Sequence, residues 1–324
     1  MTKTPPLDAV TDRYRVAMTP LVESLIESSP AVARQFRPDQ RELIDSDEET
    51  DDPIGDHPHS PVPGVVHRYP DRALLMPLSI CPVYCRFCFR RETVGQDGAG
   101  LLDDETLDAA LDYLANTPSI WEVILSGGDP LALSVRRLTS LLTRLRRIPH
   151  IRVLRIHTRV PLLSPERITA DLAAVLREAA PLFVVVHTNH ADEFTEAGRA
   201  ACARLVDTGT PLLSQSVLLK DVNDTPEQLE ALLRTCVENR IKPYYLHHTD
   251  KARGTSHFRT SLQHGRQLMQ DIRGPLSGLC QPHYVLDIPG GHGKVPVSSD
   301  YAELFDGDHW WVRDTHGQRH RYKG

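Results

Sequence analysis

The sequence predicts an α/β fold, a partial (β/α)6 TIM-like barrel, from two observations. Short apolar runs recur at steps of roughly thirty residues, the size of one βα unit. The stretches between these runs have helical periodicity. Six units are too few for a complete eight-fold barrel, so we expect a partial barrel, with a doubly wound open sheet as the second choice.

The predicted elements alternate along the chain. The runs around 183–186 and 217–219 are almost continuously apolar, as expected when helices cover a parallel sheet. Strands are predicted at about 73–79, 120–125, 151–156, 182–187, 212–217 and 242–246, and helices at 104–116, 135–147, 165–179, 192–208 and 226–239.

The region before the barrel divides into two parts. Positions 8–27 carry apolar residues at helical spacing, which predicts an amphipathic helix. Residues 45–52 hold six acidic side chains in eight positions, a charge run typical of a solvated linker. We therefore expect an N-terminal helical segment and acidic linker over 1–62, a barrel over 63–300, and a short C-terminal tail over 301–324.

Charge and hydropathy restrict the class of protein. The 324 residues include 37 basic and 43 acidic side chains, and a net charge of -6 gives no general attraction to nucleic acid or to an anionic membrane. The longest apolar run, 73–80, is broken by Pro77 and is too short for a membrane span. The N-terminus has no apolar secretory signal. We expect a cytoplasmic protein without a nucleic-acid or membrane partner.

The cysteines give the strongest chemical signal. Cys81, Cys85 and Cys88 form a C-x3-C-x2-C motif directly after the first predicted strand. Three thiolates can ligate three irons of a [4Fe–4S] cluster and leave the fourth iron open to a ligand. The alternative is a Cys3His zinc site that uses a nearby histidine.

Two glycine-rich segments add further candidates. Paired glycines in 126–129 follow the second strand, where a ligand can approach the backbone closely, although they also suit an ordinary turn. The segment 287–294 presents Lys294 at the end of a glycine-rich loop, and such an amine can form an imine with pyridoxal 5′-phosphate (PLP). A phosphate-binding Walker loop is excluded because Val295 follows the lysine.

Together these motifs resemble the lysine 2,3-aminomutase family of PLP-dependent radical S-adenosylmethionine (SAM) enzymes, over about residues 60–300. The resemblance implies a barrel of the radical SAM type. The matching stretches are 67–72, 81–91, 125–129, 215–219, 222–224, 257–260 and 287–294.

The resemblance also implies roles for individual residues. It implies that the three cysteines ligate the cluster and that Lys294 holds PLP. Two acids, Asp250 and Asp287, would bind the distant ammonium group of the substrate, and Arg90 would bind its carboxylate. The remaining implied contacts are Arg68, Arg72 and Gln215 in the PLP phosphate region, and Ser126, Gly127, Gly128 and Asp129 with SAM.

The implied reaction moves the α-amino group of L-lysine to C3 and gives β-lysine. Two buried carboxylates favour a cationic side chain, and arginine or ornithine would satisfy them as well. The motifs also leave open lysine isomerisation for the modification of elongation factor P and, more remotely, a non-catalytic iron–sulfur or zinc protein. The resemblance further implies an electron donor such as flavodoxin or ferredoxin, and it is compatible with a homo-oligomer.

Overall fold

Nine strands form one sheet in the described part of the chain, which in this computed structural model covers residues 7–44, 46–96, 98, 100–298 and 300–324. The strands lie in chain order; β2 to β8 are parallel, and β1 and β9 are antiparallel edges. They are β1 (Val65–Tyr69), β2 (Arg72–Leu78), β3 (Glu122–Gly127), β4 (Val153–Thr158), β5 (Leu182–His187), β6 (Leu212–Val217), β7 (Ile241–His247), β8 (His283–Ile288) and β9 (Gly293–Pro296).

Helices follow each of the strands β2 to β7, so six βα units precede β8. This arrangement confirms the partial (β/α)6 barrel. A doubly wound sheet would reverse its strand order, and this sheet does not. The helices of the barrel are α4 (Asp104–Ala115), α5 (Val135–Arg146), α6 (Val160–Leu163), α7 (Ala170–Glu178), α8 (Glu196–Asp207), α9 (Pro226–Glu238) and α10 (Leu262–Asp271).

All the barrel helices except α6 begin at a residue whose side chain caps the first turn. Asp103 accepts a hydrogen bond from the Thr106 amide before α4, and Thr225 accepts one from the Gln228 amide before α9. The inward face of α5 buries four leucines against the sheet, each worth about 1.5–3 kcal/mol. Capping and one apolar face therefore explain why these segments form helices here.

In the described part of the N-terminal region, two short helices replace the one expected over 8–27, and a third follows them. They are α1 (Leu7–Arg13), α2 (Pro20–Ser28) and α3 (Pro30–Phe36). Pro20 occupies the first turn of α2, and the Thr19 side chain accepts a hydrogen bond from the Val22 amide. Proline at this position and the threonine cap start a new helix, so the predicted single helix is interrupted.

Most described side chains of the acidic segment after α3 are exposed, as its composition indicated, but one of its acids is buried and anchors the segment to the barrel; Asp45 lies outside the described residues. Glu49 is buried, accepts a hydrogen bond from the Gly254 amide at 3.0 Å and pairs with Arg259 at 2.6 Å. The Thr50 amide donates to the Lys251 carbonyl. These contacts fasten the segment to the loop after β7, because a buried carboxylate requires such partners.

The last residues form a small antiparallel sheet of three strands, β10 (Ala302–Asp306), β11 (His309–Arg313) and β12 (Arg319–Lys323). The ring of Phe305 stacks on Trp311 with centroids 4.9 Å apart. Across the described residues, no helix is both long and apolar enough to cross a membrane.

Candidate active site

The three cysteines of the C-x3-C-x2-C motif lie in an irregular loop at the carboxyl end of β2. They line one cavity, together with Tyr14 and Tyr84. Burial raises the pKa of Cys88 to about 11, and burial together with the nearby Asp129 raises that of Cys81. Binding of iron must therefore displace protons from these thiols. Three soft sulfur donors around one cavity fit a [4Fe–4S] cluster.

The N-terminal region holds this loop in place. The amide of Tyr84 donates to the Ala17 carbonyl at 2.9 Å, and that of Arg86 donates to the Gln35 carbonyl at 2.8 Å. Glu42, in the 3₁₀ turn Gln40–Leu43, is fully buried and pairs with both Arg86 and Arg91. The region before the barrel is thus part of the cysteine-loop scaffold.

The segment 126–129 lies directly beside the cysteine loop. The amides of Gly128 and Asp129 donate to the Leu78 and Ile80 carbonyls at 2.8 and 3.0 Å. A Cβ atom on Gly128 would lie 2.2 Å from the Ile80 oxygen, so glycine is required for this close packing. The position next to Cys81 fits a SAM site adjoining the cluster.

The Asp129 carboxylate has a structural task in this segment. It accepts hydrogen bonds from Thr158 Oγ1 and the Arg159 amide, both at 2.7 Å, and from the Leu131 amide at 3.0 Å. These protein donors join the ends of β3 and β4. The Asp129 carboxylate is therefore occupied by hydrogen-bond donors of the protein itself.

Lys294 and Asp287 face each other across the β8–β9 hairpin, where they form a register pair. The Lys294 Nζ atom forms an ion pair with Asp287 and lies 3.2 Å from His247 Nδ1. Burial opposes ionisation of Asp287, but the His247 hydrogen bond and the Lys294 charge hold its pKa well below the ordinary range. The lysine amine therefore projects from a short strand beside a carboxylate.

The second acid, Asp250, follows β7 and has a different environment. Its Oδ1 atom is buried without a hydrogen-bond partner among the described residues. Burial and the neighbouring Asp287 charge raise the pKa of Asp250 to about 7. The adjacent Lys251 turns outward and pairs with Glu48 at 2.7 Å. Asp250 thus presents an acceptor that an entering cation would satisfy.

We expect Asp250 to make the stability of the cofactor-free protein depend on pH. Because the folded pKa lies above the unfolded one, its contribution is complete at low pH and is lost as pH rises through about 7. Replacing Asp250 with Asn should therefore stabilise the protein more at pH 8.0 than at pH 5.5, by about 2 kcal/mol. Urea unfolding at the two pH values measures this difference; a pH-independent effect would contradict the assignment.

Arg90 and Arg68 are joined by Asp56, which lies in the segment after α3. The Asp56 Oδ2 atom accepts from Arg90 Nε at 3.0 Å and Nη2 at 2.7 Å, and Oδ1 accepts from Arg68 Nη2 at 3.0 Å. Arg68 also approaches Asp287 at 3.9 Å. The carboxylate fixes both guanidinium groups, and each keeps further N–H donors for an anion.

Arg72 begins β2, where its partly exposed side chain pairs with Asp71 at 2.7 Å, and Gln215 lies in β6. The Arg72 guanidinium stacks 3.8 Å from the centre of the Tyr69 ring, and the Tyr69 hydroxyl accepts a hydrogen bond from the Lys294 amide at 2.8 Å. Gln215 pairs in register with His187 and Tyr245, so these residues share one face of the sheet. The structure thus links Arg72 to the lysine through Tyr69.

The residues around Lys294 fit PLP. Arg68 and Arg72 provide guanidinium groups for a phosphate, and the Arg68 Nε atom is buried without a partner in the described part of the chain. His157 Nε2, in β4, is likewise buried and unpartnered among these residues. Orphaned donors and acceptors beside a lysine amine indicate a polar ligand.

Sequence reasoning did not identify three contacts of this site. No contact was predicted for Asp56 because it lies in an acidic, proline-rich stretch whose composition favours a linker. Tyr69 gave no motif of its own. The position of His247 at the carboxyl end of a predicted strand places it at the mouth of the barrel, where catalytic groups of parallel barrels gather, but its contact with Lys294 was not predicted.

Comparisons with known proteins agree with this geometry. The family model of the Radical SAM superfamily matches residues 75–247, from β2 to the end of β7. The fold and the cysteine loop thus define a radical SAM protein.

Several relatives extend the match over most of the chain. An L-lysine 2,3-aminomutase from Acetoanaerobium sticklandii is 42% identical over 90% of this chain and 71% of its own length. One from Clostridium subterminale is 41% identical over 89% of this chain and 70% of its own. A glutamate 2,3-aminomutase from Clostridioides difficile is 32% identical over 94% and 73%. The chain belongs to the lysine 2,3-aminomutase family, whose members are isomerases that use a [4Fe–4S] cluster, SAM and PLP.

Proposed function

We propose that the protein is a 2,3-aminomutase that converts L-lysine to β-lysine. The observation that carries this proposal is the unpartnered, buried Oδ1 atom of Asp250 close to a second acid, Asp287. An ammonium group at the end of a substrate side chain would supply the missing donor and offset the charges of both acids. The carboxylate of glutamate would instead be repelled.

The bound cofactors supply a hydrogen-abstracting radical and an aldehyde that carries the migrating nitrogen. The chain's own residues position the reactants. We infer that Cys81, Cys85 and Cys88 hold the cluster and that the segment 126–129 holds SAM beside it. Lys294 holds PLP, while Arg68, Arg72 and Gln215 surround its phosphate.

The substrate is bound at both ends in this proposal. Arg90, fixed by Asp56, has the free N–H donors to bind the substrate carboxylate. Asp250 and Asp287 bind the distant ammonium group. His247 lies within 3.4 Å of both Lys294 and Asp287, so it can hold or transfer a proton when the amine of Lys294 is released. Binding at two ends orients the reacting carbons and excludes water.

The proposal is tested by anaerobic reconstitution with iron, sulfide, PLP, SAM and a reductant. The enzyme is then incubated separately with lysine, arginine, ornithine and glutamate, and β-amino acids are measured by chromatography. We expect β-lysine as the main product. Preferential turnover of arginine or ornithine would move the assignment to that substrate, and the absence of any β-amino acid from protein with intact cluster and bound PLP would refute it.

We also propose that a small electron-transfer protein such as flavodoxin or ferredoxin reduces the cluster, since the reaction requires one external electron. A homo-oligomer and a cytoplasmic location stay predictions of the sequence.

A further inference from the structure

The buried side chain of Arg159 contacts the cysteine loop from the end of β4. Arg159 follows β4 directly, and its side chain is 8% exposed. Its Nη1 atom donates a hydrogen bond to Cys85 Sγ at 2.9 Å. Its Nη2 atom donates to Glu193 Oε2 at 2.8 Å and to Gln35 Oε1 at 3.1 Å. One guanidinium group thus contacts a cluster cysteine and a carboxylate.

The carboxylate partner is held rigidly. Glu193 is fully buried, and its Oε1 atom accepts from Gln35 Nε2 and from the Asn189 amide, both at 3.0 Å. Gln35 lies in α3, so this network also joins the N-terminal region to the barrel. Hydrogen bonds on both sides of the pair leave the Arg159 side chain little freedom to turn away from Cys85.

The surroundings strengthen the effect of the arginine charge. The guanidinium carbon lies 5.0 Å from the centre of the Phe36 ring and 5.8 Å from that of Phe87. Aromatic neighbours exclude water, and charges interact more strongly in such a medium. Hydrogen bonds to the ligating sulfurs and the net charge near a cluster are two of the factors that set its reduction potential.

We propose that Arg159 raises the reduction potential of the [4Fe–4S] cluster by donating a charged hydrogen bond to Cys85 Sγ, and that Glu193 moderates this effect. Reduction adds one electron from the external donor to the cluster, and the nearby cation stabilises the added negative charge. Arg159 is in this sense a positioning and tuning residue that does not touch the substrate. The inference rests on the cluster part of the proposed function and is independent of the substrate.

The test compares two variants that are expected to shift the reduction potential of the cluster in opposite directions. Arg159→Met combined with Glu193→Gln removes the cation without leaving an unpaired carboxylate, and the cluster potential should become more negative. Glu193→Gln alone leaves the cation in place without its counter-charge, and the potential should become more positive. The reconstituted protein is titrated with dithionite, and electron paramagnetic resonance follows the reduced cluster.

A matched control distinguishes this contact from a general loss of buried charge. Arg155 and Glu122 form a pair at 2.8 Å, and the Arg155 guanidinium carbon lies 5.9 Å from the centre of the Tyr244 ring, away from the cysteine loop. Arg155→Met combined with Glu122→Gln should leave the potential unchanged. An equal shift in this control, or shifts of the two test variants in the same direction, would overturn the inference.

Two further outcomes are decisive. If the double variant fails to bind iron, Glu193→Gln alone decides, and an unchanged or lowered potential overturns the proposal. If the wild-type protein forms no [4Fe–4S] cluster, the inference fails together with the cluster assignment. If the potentials of the variants shift as expected but the protein does not isomerise lysine, only the substrate assignment is refuted.

Discussion

Replacing Glu42 with Gln is expected to destabilise the protein by about 3–5 kcal/mol, because two buried cations would lose their shared counter-charge. Glu42 is fully buried, and its Oε1 atom accepts from Arg86 Nε at 3.0 Å, while Arg91 pairs with Oε2. Urea unfolding of the apoprotein under reducing, anaerobic conditions measures the loss.

The same substitution should reduce the binding of iron. Arg86 lies between two of the cluster cysteines, and its guanidinium also donates to the Arg15 carbonyl at 3.0 Å. Loss of the carboxylate releases the side chain that ties the cysteine loop to the N-terminal region. We expect lower iron and sulfide contents after reconstitution, measured per protein chain.

The control for this prediction is an ion pair of the same type on the surface. Glu27 pairs with Arg37 in the same N-terminal region, and both side chains are more than half exposed. Glu27→Gln should cost no more than about 1 kcal/mol and leave the iron content unchanged. Equal effects of the two substitutions would contradict the structural role of Glu42.

The barrel could be predicted from the sequence because its strands are buried by helices on one side and share one direction. The apolar runs at 182–187 and 212–217 match β5 and β6 at both ends. The hairpin of β8 and β9 was not predicted as strands. β9 has only four residues, the turn before it is rich in glycine, and the pairing depends on the turn geometry at Gly290 and Gly291, which both have positive φ.

Chemically distinctive residues were easier to predict than their partners. Cysteine spacing and the glycine-rich loop identify Cys81 and Lys294 locally, since each motif lies within eight positions. The partners Glu42, Asp56 and Arg159 come from distant parts of the chain. Their charges have no periodicity, and only the fold shows that they are buried and paired. For the same reason the composition of the acidic segment gives no sign that Glu49 is buried and paired.

Lys294 is the residue whose loss should have the largest effect on activity. Lys294→Arg keeps a cation opposite Asp287, so the charge pair that the hairpin requires can persist. The guanidinium cannot form the covalent link with PLP. We therefore expect a fold close to that of the wild type, no visible absorbance of lysine-bound PLP, and turnover reduced by at least about 10³-fold.

A comparison of Lys294→Ala with Lys294→Arg separates the covalent role of the lysine from the role of its charge. It removes the cation as well, which leaves the buried Asp287 carboxylate without its nearest counter-charge. This variant should therefore lose stability in addition to activity, whereas the arginine variant should lose activity alone. Lys251→Ala is the matched control, because that lysine is exposed and pairs with Glu48 outside the site. Retention of the PLP absorbance in Lys294→Arg would exclude Lys294 as the covalent ligand, since no guanidinium can replace the amine in that bond.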